Sequence, residues 1–391
     1  MKQKCDVVVV GGGVVGLTAA LAMHSCGFQV VLLDAAKIQG VSLQNDPRVY
    51  AINQASEALW RSLGVWEHID RTRLSPYQRM YVWDALSQDH IQFDSRTIAA
   101  SSLGVIMEES VIKEAIYKTI AAQPAGITLL AENAVKAIEQ KEDSIEISTA
   151  SQCFEAKLLM VADGANSPCR QLLNIPIRSW SYHQHAVVAE VSTEKEHQQT
   201  AYQVFNADGP LAFLPLANSN RCSIVWSTTP ARAKALMELT DPLFNKELTE
   251  AFASKLGQVE VQGRRYQFPL TLRHTRQYSG SRWLLLGDAA HTIHPLAGLG
   301  LNVGLADVAS WMSCLDKRNI ASKKALNAYQ RERKHAVWQT IAMMDGLKTL
   351  FSNPLPPLVA LRGLGLSLCN RITPLKRFFI EQAAGKKRHY S

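Results

Sequence analysis

The first thirty-four residues fall into blocks of like character rather than alternating positions. CDVVVV (5–10) is β-branched and apolar apart from Asp6, which predicts a short strand buried on both faces, as in a parallel sheet. Residues 14–26 carry small and apolar side chains at helical spacing, and QVVLL (29–33) reads as a second buried strand, so a βαβ unit occupies about thirty residues. Helices are predicted around 53–63 and 109–122. The segment 126–162 is strand-like: ITLL, AVKAIEQ and IEIST suggest a meander, and AKLLMVA a return strand to the main sheet. HAVVAEV, QVFNAD and CSIVW continue the strand pattern through 181–230. Residues 231–257 are helical with one polar face, and WLLL (283–286) is one more buried strand. From about 300 the pattern is helical to the end, interrupted at Pro354, Pro356, Pro357 and Pro374. There is no internal repeat and no low-complexity tract.

At 391 residues the chain can bury two domain cores. Its net charge of +8 fits either a mildly basic solvated surface or contact with an anionic membrane face. Nucleic acid is not expected, because no basic stripe is interleaved with aromatics. The cysteines at 5, 26, 153, 169, 222, 314 and 369 are scattered without a C-x-x-C pair, which argues against a disulfide framework or a bound metal and for reduced thiols in a cytoplasmic setting. Lys2 and Lys4 before the apolar run Val7–Met23 imitate a signal peptide, but Asp6 and the spaced glycines of that run argue otherwise. No other stretch reaches the roughly 18 apolar residues of a spanning helix.

Those glycines carry the first chemistry. Gly11-x-Gly13-x-x-Gly16 sits between the first strand and the first helix. Gly11 permits the tight turn, Gly13 lets backbone approach a diphosphate, and Gly16 lets helix pack on strand. The helix N-terminus then offers free N–H groups to the anion. Asp34, eighteen residues after Gly16, ends the second strand where a carboxylate can accept from a ribose. The fingerprint alone does not separate FAD from NAD(P).

Two later segments do. One is Ala162-Asp163-Gly164-Ala165-Asn166-Ser167 with Arg170; the other is Gly287-Asp288-Ala289-Ala290-His291 with Pro295, Gly298, Gly300, Leu301 and Asn302. In this order they resemble the aromatic flavoprotein monooxygenases, the single-component FAD-dependent hydroxylases. SPYQRMYVWD (75–84), DGPLAFLPL (208–216), GDAAHTIHPLAGLGLNVGLADV (287–308) and NPLPPL (353–358) are similar to the ubiquinone-biosynthesis hydroxylases of the UbiH/UbiF/VisC group, with the UbiF pattern nearest. One departure is Gly298-Leu299-Gly300, where many relatives carry Gly-Gln-Gly. Leucine cannot make the side-chain hydrogen bonds of glutamine.

The resemblance implies an α/β fold with a Rossmann-like FAD-binding domain, and the pattern of strands and helices places that domain at roughly 1–75, 100–180 and 270–345, a sheet-rich substrate domain at 76–99 and 181–269, and a C-terminal helical segment at 346–391. It implies that Asp288 binds the ribityl chain, that the loop Pro295–Gly300 and the helix from Leu301 meet the flavin ring, that Asp163-Gly164 serves both FAD and the nicotinamide, and that Arg48 lies near the flavin diphosphate and ring. The implied reaction is hydroxylation of a polyprenyl phenol or benzoquinol ring: NAD(P)H reduces FAD, O2 adds to give a C4a-hydroperoxyflavin, and its distal oxygen passes to the ring. His183, His185, Tyr202 and Arg221 are the candidates for activating the substrate hydroxyl, by their place in the substrate domain. His291 and His294 sit near the flavin loop, where either can be structural. The apolar stretch 358–369 with its basic neighbours suggests either peripheral contact with the inner membrane face or a helix packed on its own domain or on a partner. A biosynthetic complex or a homo-oligomer is left open, as are two rivals: an FAD-dependent reductase or oxidase of another lipophilic substrate, and a non-catalytic flavoprotein subunit.

Overall fold

The strand Lys2–Val10 lies inside a sheet, parallel on one side to Val30–Leu33 and on the other to Cys153–Val161. Its last four residues, all valine, are buried, which is what a β-branched run between two covered faces predicts. The chain is described here from a computed structural model covering residues 2–37, 48–123, 126–293, 300–352 and 355–372, with residues 374, 377, 380 and 381 beyond them.

The sheet runs Ser279–Gly280, Trp283–Leu285, Cys153–Val161, Lys2–Val10, Val30–Leu33, Ile127–Leu130. Ala137–Gln140 and Ile145–Ser148 fold back antiparallel onto Cys153–Val161. ITLL is therefore not the first strand of the meander; it is the outer parallel strand beside Val30–Leu33. A four-residue apolar run does not reveal the direction of its partner, so pattern alone assigned it to the nearer neighbours. The helices Val14–Ser25, Glu109–Ala121 and Gly300–Cys314 contribute to the core built on this sheet, which includes Leu17, Ile116, Leu305, Trp311 and Tyr329.

A second sheet takes the order His291–Thr292, Val259–Thr275, Ile177–Thr193, Arg221–Thr228, Gly209–Pro215, Thr200–Asn206, Arg79–Asp84, His90–Asp94. The helices Pro230–Glu238 and Asp241–Ala251 cover it and bury Phe244, Leu248 and Phe252 with Trp226 and Phe213. The single helix expected over 231–257 is thus two, each entered through a threonine N-cap followed by proline in its first turn. A small sheet of Val49–Asn53, Gly104–Glu108 and Ser75–Tyr77 takes its strands from either side of the Arg79–Asp84 and His90–Asp94 hairpin.

Three elements cross the boundaries suggested by pattern. Ile177–Thr193, Val259–Thr275 and the helix Lys323–Ser352 run unbroken through 180, 270 and 345. The described part of the C-terminal segment is built into the fold. The helix Pro356–Arg371 is fastened to the outer hairpin of the second sheet: Ser367 Oγ donates to Asp89 Oδ1 at 2.7 Å, and the Gln92 N–H donates to Asn370 Oδ1 at 3.2 Å. Ile380 is buried against a cluster that includes Ala51, Tyr77 and Ile106.

Candidate functional site: a dinucleotide cavity at three strand ends

Three loops meet because three strands end level. Val10 pairs with Val161, and Val161 pairs with Leu285, all in parallel. Gly11, Ala162-Asp163-Gly164 and Gly287-Asp288 therefore leave one edge of the sheet side by side, at the carboxyl ends where open α/β sheets bind ligands. Segments about 120 to 150 residues apart in sequence become a single rim through strand register.

The fingerprint glycines divide into two kinds. Gly11 has φ +112°, and a methyl there or on Gly16 would collide with the carbonyl of Ala162 or of Gly11, so these two serve close packing. Gly13 has no atom within 4 Å of where its Cβ would stand; its open side lies in the cavity wall. Asp34 turns back over the fingerprint. Its Oδ2 accepts from the Gly12 N–H and its Oδ1 from the Ala36 N–H at 2.7 Å.

The cavity holds about 380 Å³ and is lined by backbone of the three motifs together with Arg48, Tyr50, Glu109, Asp288, His291 and Leu301. Gly164, Gly287 and Gly300 also reach it, whereas Asn302 does not. The Asn302 amide is used within the fold: Nδ2 donates to Ala51 O at 2.7 Å, and Oδ1 accepts from the Asn53 N–H and Ser56 Oγ. Arg48 Nη1 and Tyr50 Oη converge on Glu109 Oε2 at 3.3 and 3.0 Å. Asp288 is open to the cavity yet crowded by protein. Desolvation pushes its carboxyl above the usual range, against the pull of His291, Arg273 and Arg48.

Cations and an ionic cluster tie the rim together. The buried Arg170 donates to Ala289 O at 2.9 Å and to Ala165 O at 3.0 Å, joining the second motif to the third. Arg273 Nη1 donates to Asn166 Oδ1 at 2.7 Å. Behind the third motif, Asp307 Oδ2 accepts from the Gly287 N–H (2.8 Å) and from His291 Nε2 (2.7 Å), while its Oδ1 accepts from Arg333 Nε (2.6 Å). Sequence reasoning missed Tyr50, Glu109, Arg273, Asp307 and Arg333. The available signal for Asp307 was one carboxylate inside the apolar helix NVGLADVASWM.

The four substrate-side candidates do not converge. His183 is exposed, at φ +51°, in an irregularity of the strand Ile177–Thr193; His185 Nδ1 meets the Gln267 amide. Arg221 pairs with Glu190 at 2.7 Å, at the opposite end of its strand from the position that faces His185. Tyr202 stands three strands away from the histidines, roughly 14 Å by strand spacing. Burial raises its hydroxyl pKa, and it lines a small apolar cavity with Ala51, Tyr77, Ile106 and Leu214. Pro295 and Gly298, with His294, lie outside the described residues. No cluster of metal-ligating side chains occurs among the described residues.

The rim suits a dinucleotide carrying a ribityl chain. Gly13 leaves a helix N-terminus open to a diphosphate, Asp163 Oδ1 is buried without a partner among the described residues, and the Asp288 carboxylate faces the cavity. The FAD binding domain family matches residues 4–344. Among solved structures, p-nitrophenol 4-monooxygenase PnpA of Pseudomonas putida shares the fold with a TM-score of 0.80 at 20% identity, covering 99% of this chain and 100% of that one. The family match and the fold define an FAD-binding protein of the aromatic hydroxylase architecture, a class whose usual co-substrate is NAD(P)H.

Relatives narrow this. The 3-demethoxyubiquinol 3-hydroxylase of Escherichia coli is 36% identical, with 98% of this chain and 99% of that protein covered. Ubiquinone hydroxylase UbiL of Rhodospirillum rubrum is 33% identical (97% and 89%), and the human mitochondrial ubiquinone biosynthesis monooxygenase COQ6 is 33% identical (95% and 90%). The chain belongs to the FAD-dependent hydroxylases of ubiquinone biosynthesis.

Proposed function

We propose that the protein hydroxylates the aromatic ring of a polyprenyl phenol or benzoquinol intermediate of ubiquinone biosynthesis, using NAD(P)H and O2. The observation that carries this reading is likeness over nearly the whole chain to a 3-demethoxyubiquinol 3-hydroxylase. Bound FAD supplies the redox chemistry and the activation of oxygen. The protein's own residues would bind and orient it: the Gly13 rim and Arg48 would take the diphosphate, Asp288 would accept from ribityl hydroxyls, and the N-terminus of the helix from Gly300, which opens onto the cavity, would favour negative charge there.

We place the C-terminal helix on the membrane surface that supplies such a substrate. Residues 346–391 hold eight of the lysines and arginines and one acidic residue, while the preceding 345 are close to neutral. Leu364 and Leu368 on the helix and Ile372 at its cap are exposed by 69, 57 and 39%. An apolar ridge with basic neighbours suits anionic lipid. Among the described residues no helix is long and apolar enough to cross a membrane.

The test is NAD(P)H oxidation by the flavin-loaded protein with a short-chain prenylphenol under O2, followed by mass analysis. Substrate-stimulated oxidation with a product heavier by one oxygen atom supports the reading. Turnover without O2 points to a reductase, and stable FAD with no stimulated oxidation points to a non-catalytic subunit.

A further inference from the structure

Asp307 is fully buried in the middle of an otherwise apolar stretch of helix. A buried ion pair is poor support for stability, because desolvation offsets much of the attraction. Packing alone gives no reason for one here: Leu305, Val308, Trp311 and Tyr329 already fill the surrounding core. The carboxylate stays ionised all the same. Burial works against its charge, but His291 and Arg333 hold its pKa below the ordinary range.

Every acceptor position used on Asp307 points to one turn or to a group that steadies it. The Gly287 N–H donates to it, and Gly287 has φ +54°, a left-handed conformation that must be held. The next residue is Asp288. His291 donates to the same Asp307 oxygen while its ring stands in the cavity wall, close enough to Asp288 to favour that residue's charge. Arg333 reaches in from another helix and also donates to Val303 O at 3.2 Å, so the carboxylate cannot swing away. From the far side, Arg170 holds Ala289 O. The turn is therefore fixed on both sides of Asp288, whose own carboxylate has no hydrogen-bond partner among the described residues.

We propose that Asp307, with His291 and Arg333, is a positioning unit for the flavin site: it sets the Gly287–Asp288 turn so that the Asp288 carboxylate faces the ribityl chain. The inference rests on the reading that Asp288 meets that chain. None of the three residues is assigned a step in the reaction. They act through Asp288.

The full chain, freed of flavin and titrated back with FAD, tests this by fluorescence quenching, by apoprotein melting and by the visible circular dichroism of saturated flavin. His291→Phe removes the donor and keeps an aromatic ring there; His291→Gln keeps a donor; Asp288→Asn tests the underlying reading. His291→Phe is expected to raise the Kd for FAD about tenfold and to change the flavin dichroism, with His291→Gln recovering most of both. The double variant His291→Phe/Asp288→Asn is expected to bind no more weakly than Asp288→Asn alone, since both changes act at one contact. Unchanged affinity in Asp288→Asn would sink the reading of Asp288 itself. Weakened binding in Asp288→Asn with wild-type affinity and dichroism in His291→Phe would leave that reading standing and overturn the positioning unit. Affinity losses that only follow the melting temperature, or a His291→Phe chain that yields no folded apoprotein, would show a purely structural cluster and overturn it too.

Discussion

Arg362 and Asp84, 278 residues apart in sequence and both fully buried, form a two-pronged ion pair: Nε to Oδ2 at 2.9 Å and Nη2 to Oδ1 at 3.1 Å. Nη1 donates to the carbonyls of Leu350 and Phe351, so the guanidinium is satisfied by three residues of two other elements. Arg362→Met leaves the Asp84 carboxylate buried and unmatched. It is expected to destabilise by about 3–5 kcal/mol, whereas Arg362→Met/Asp84→Leu recovers much of the loss. Urea unfolding of the two variants checks this; equal losses would show that the pair is not the reason.

The fingerprint glycines should separate packing from binding. Gly16→Ala drives a methyl into the Gly11 carbonyl and is expected to destabilise the apoprotein by about 1–3 kcal/mol. Gly13→Ala meets no protein atom, so the apoprotein should melt as the parent does while FAD binds more weakly. Melting of flavin-free protein beside FAD titration distinguishes the two.

His274 is 2% exposed, and its Nε2 has no partner among the described residues. Burial, helped by His291 and Lys334, pushes its imidazole down to about 4 from an ordinary 6.5. The folded chain therefore resists a proton that the unfolded chain accepts. This contribution is fully present above pH 6.5 and is lost as pH falls toward 4, by roughly 3 kcal/mol over that window. Melts from pH 7.5 to 4 should fall less steeply for His274→Gln than for the parent; parallel curves would remove His274 as the cause.

The exposed ridge of the C-terminal helix gives a further outcome. Leu364→Ser/Leu368→Ser should reduce flotation with anionic vesicles while leaving FAD affinity intact, because both side chains point to solvent. Deletion of 370–391 should weaken vesicle binding further by removing most of the basic residues of the tail. Retained binding after that deletion would rule out the basic tail as the anchor.

The three cofactor motifs were legible because each is local: a glycine spacing, or an aspartate placed just after an apolar run, says what its own backbone can do. That they form one rim depends on Val10, Val161 and Leu285 ending level, and register over 120 residues leaves no local trace. The same limit explains the substrate candidates. His185 and Tyr202 both belong to the second sheet, but two strands intervene, and strand order cannot be read from a run of alternating residues. Asn302 fell in the right segment, but its side-chain partners were not legible, since a polar side chain at a helix start can serve a neighbouring strand as readily as a ligand. Asp307 was passed over because one acid in an apolar helix resembles an ordinary solvent-facing position until burial is known.

The helix Lys323–Ser352 has thirty residues and spans about 45 Å. Near its start Tyr329 donates to Leu285 O beneath the flavin rim, one turn on Arg333 grips Asp307, and at its end Phe351 stacks on Phe205 of the second sheet beside Arg362. A rod anchored at both ends behaves as a strut. One element thus links the carboxylate behind the Gly287–Asp288 turn to the Arg362 contacts at the second sheet, so the flavin rim and the C-terminal helix share a single support.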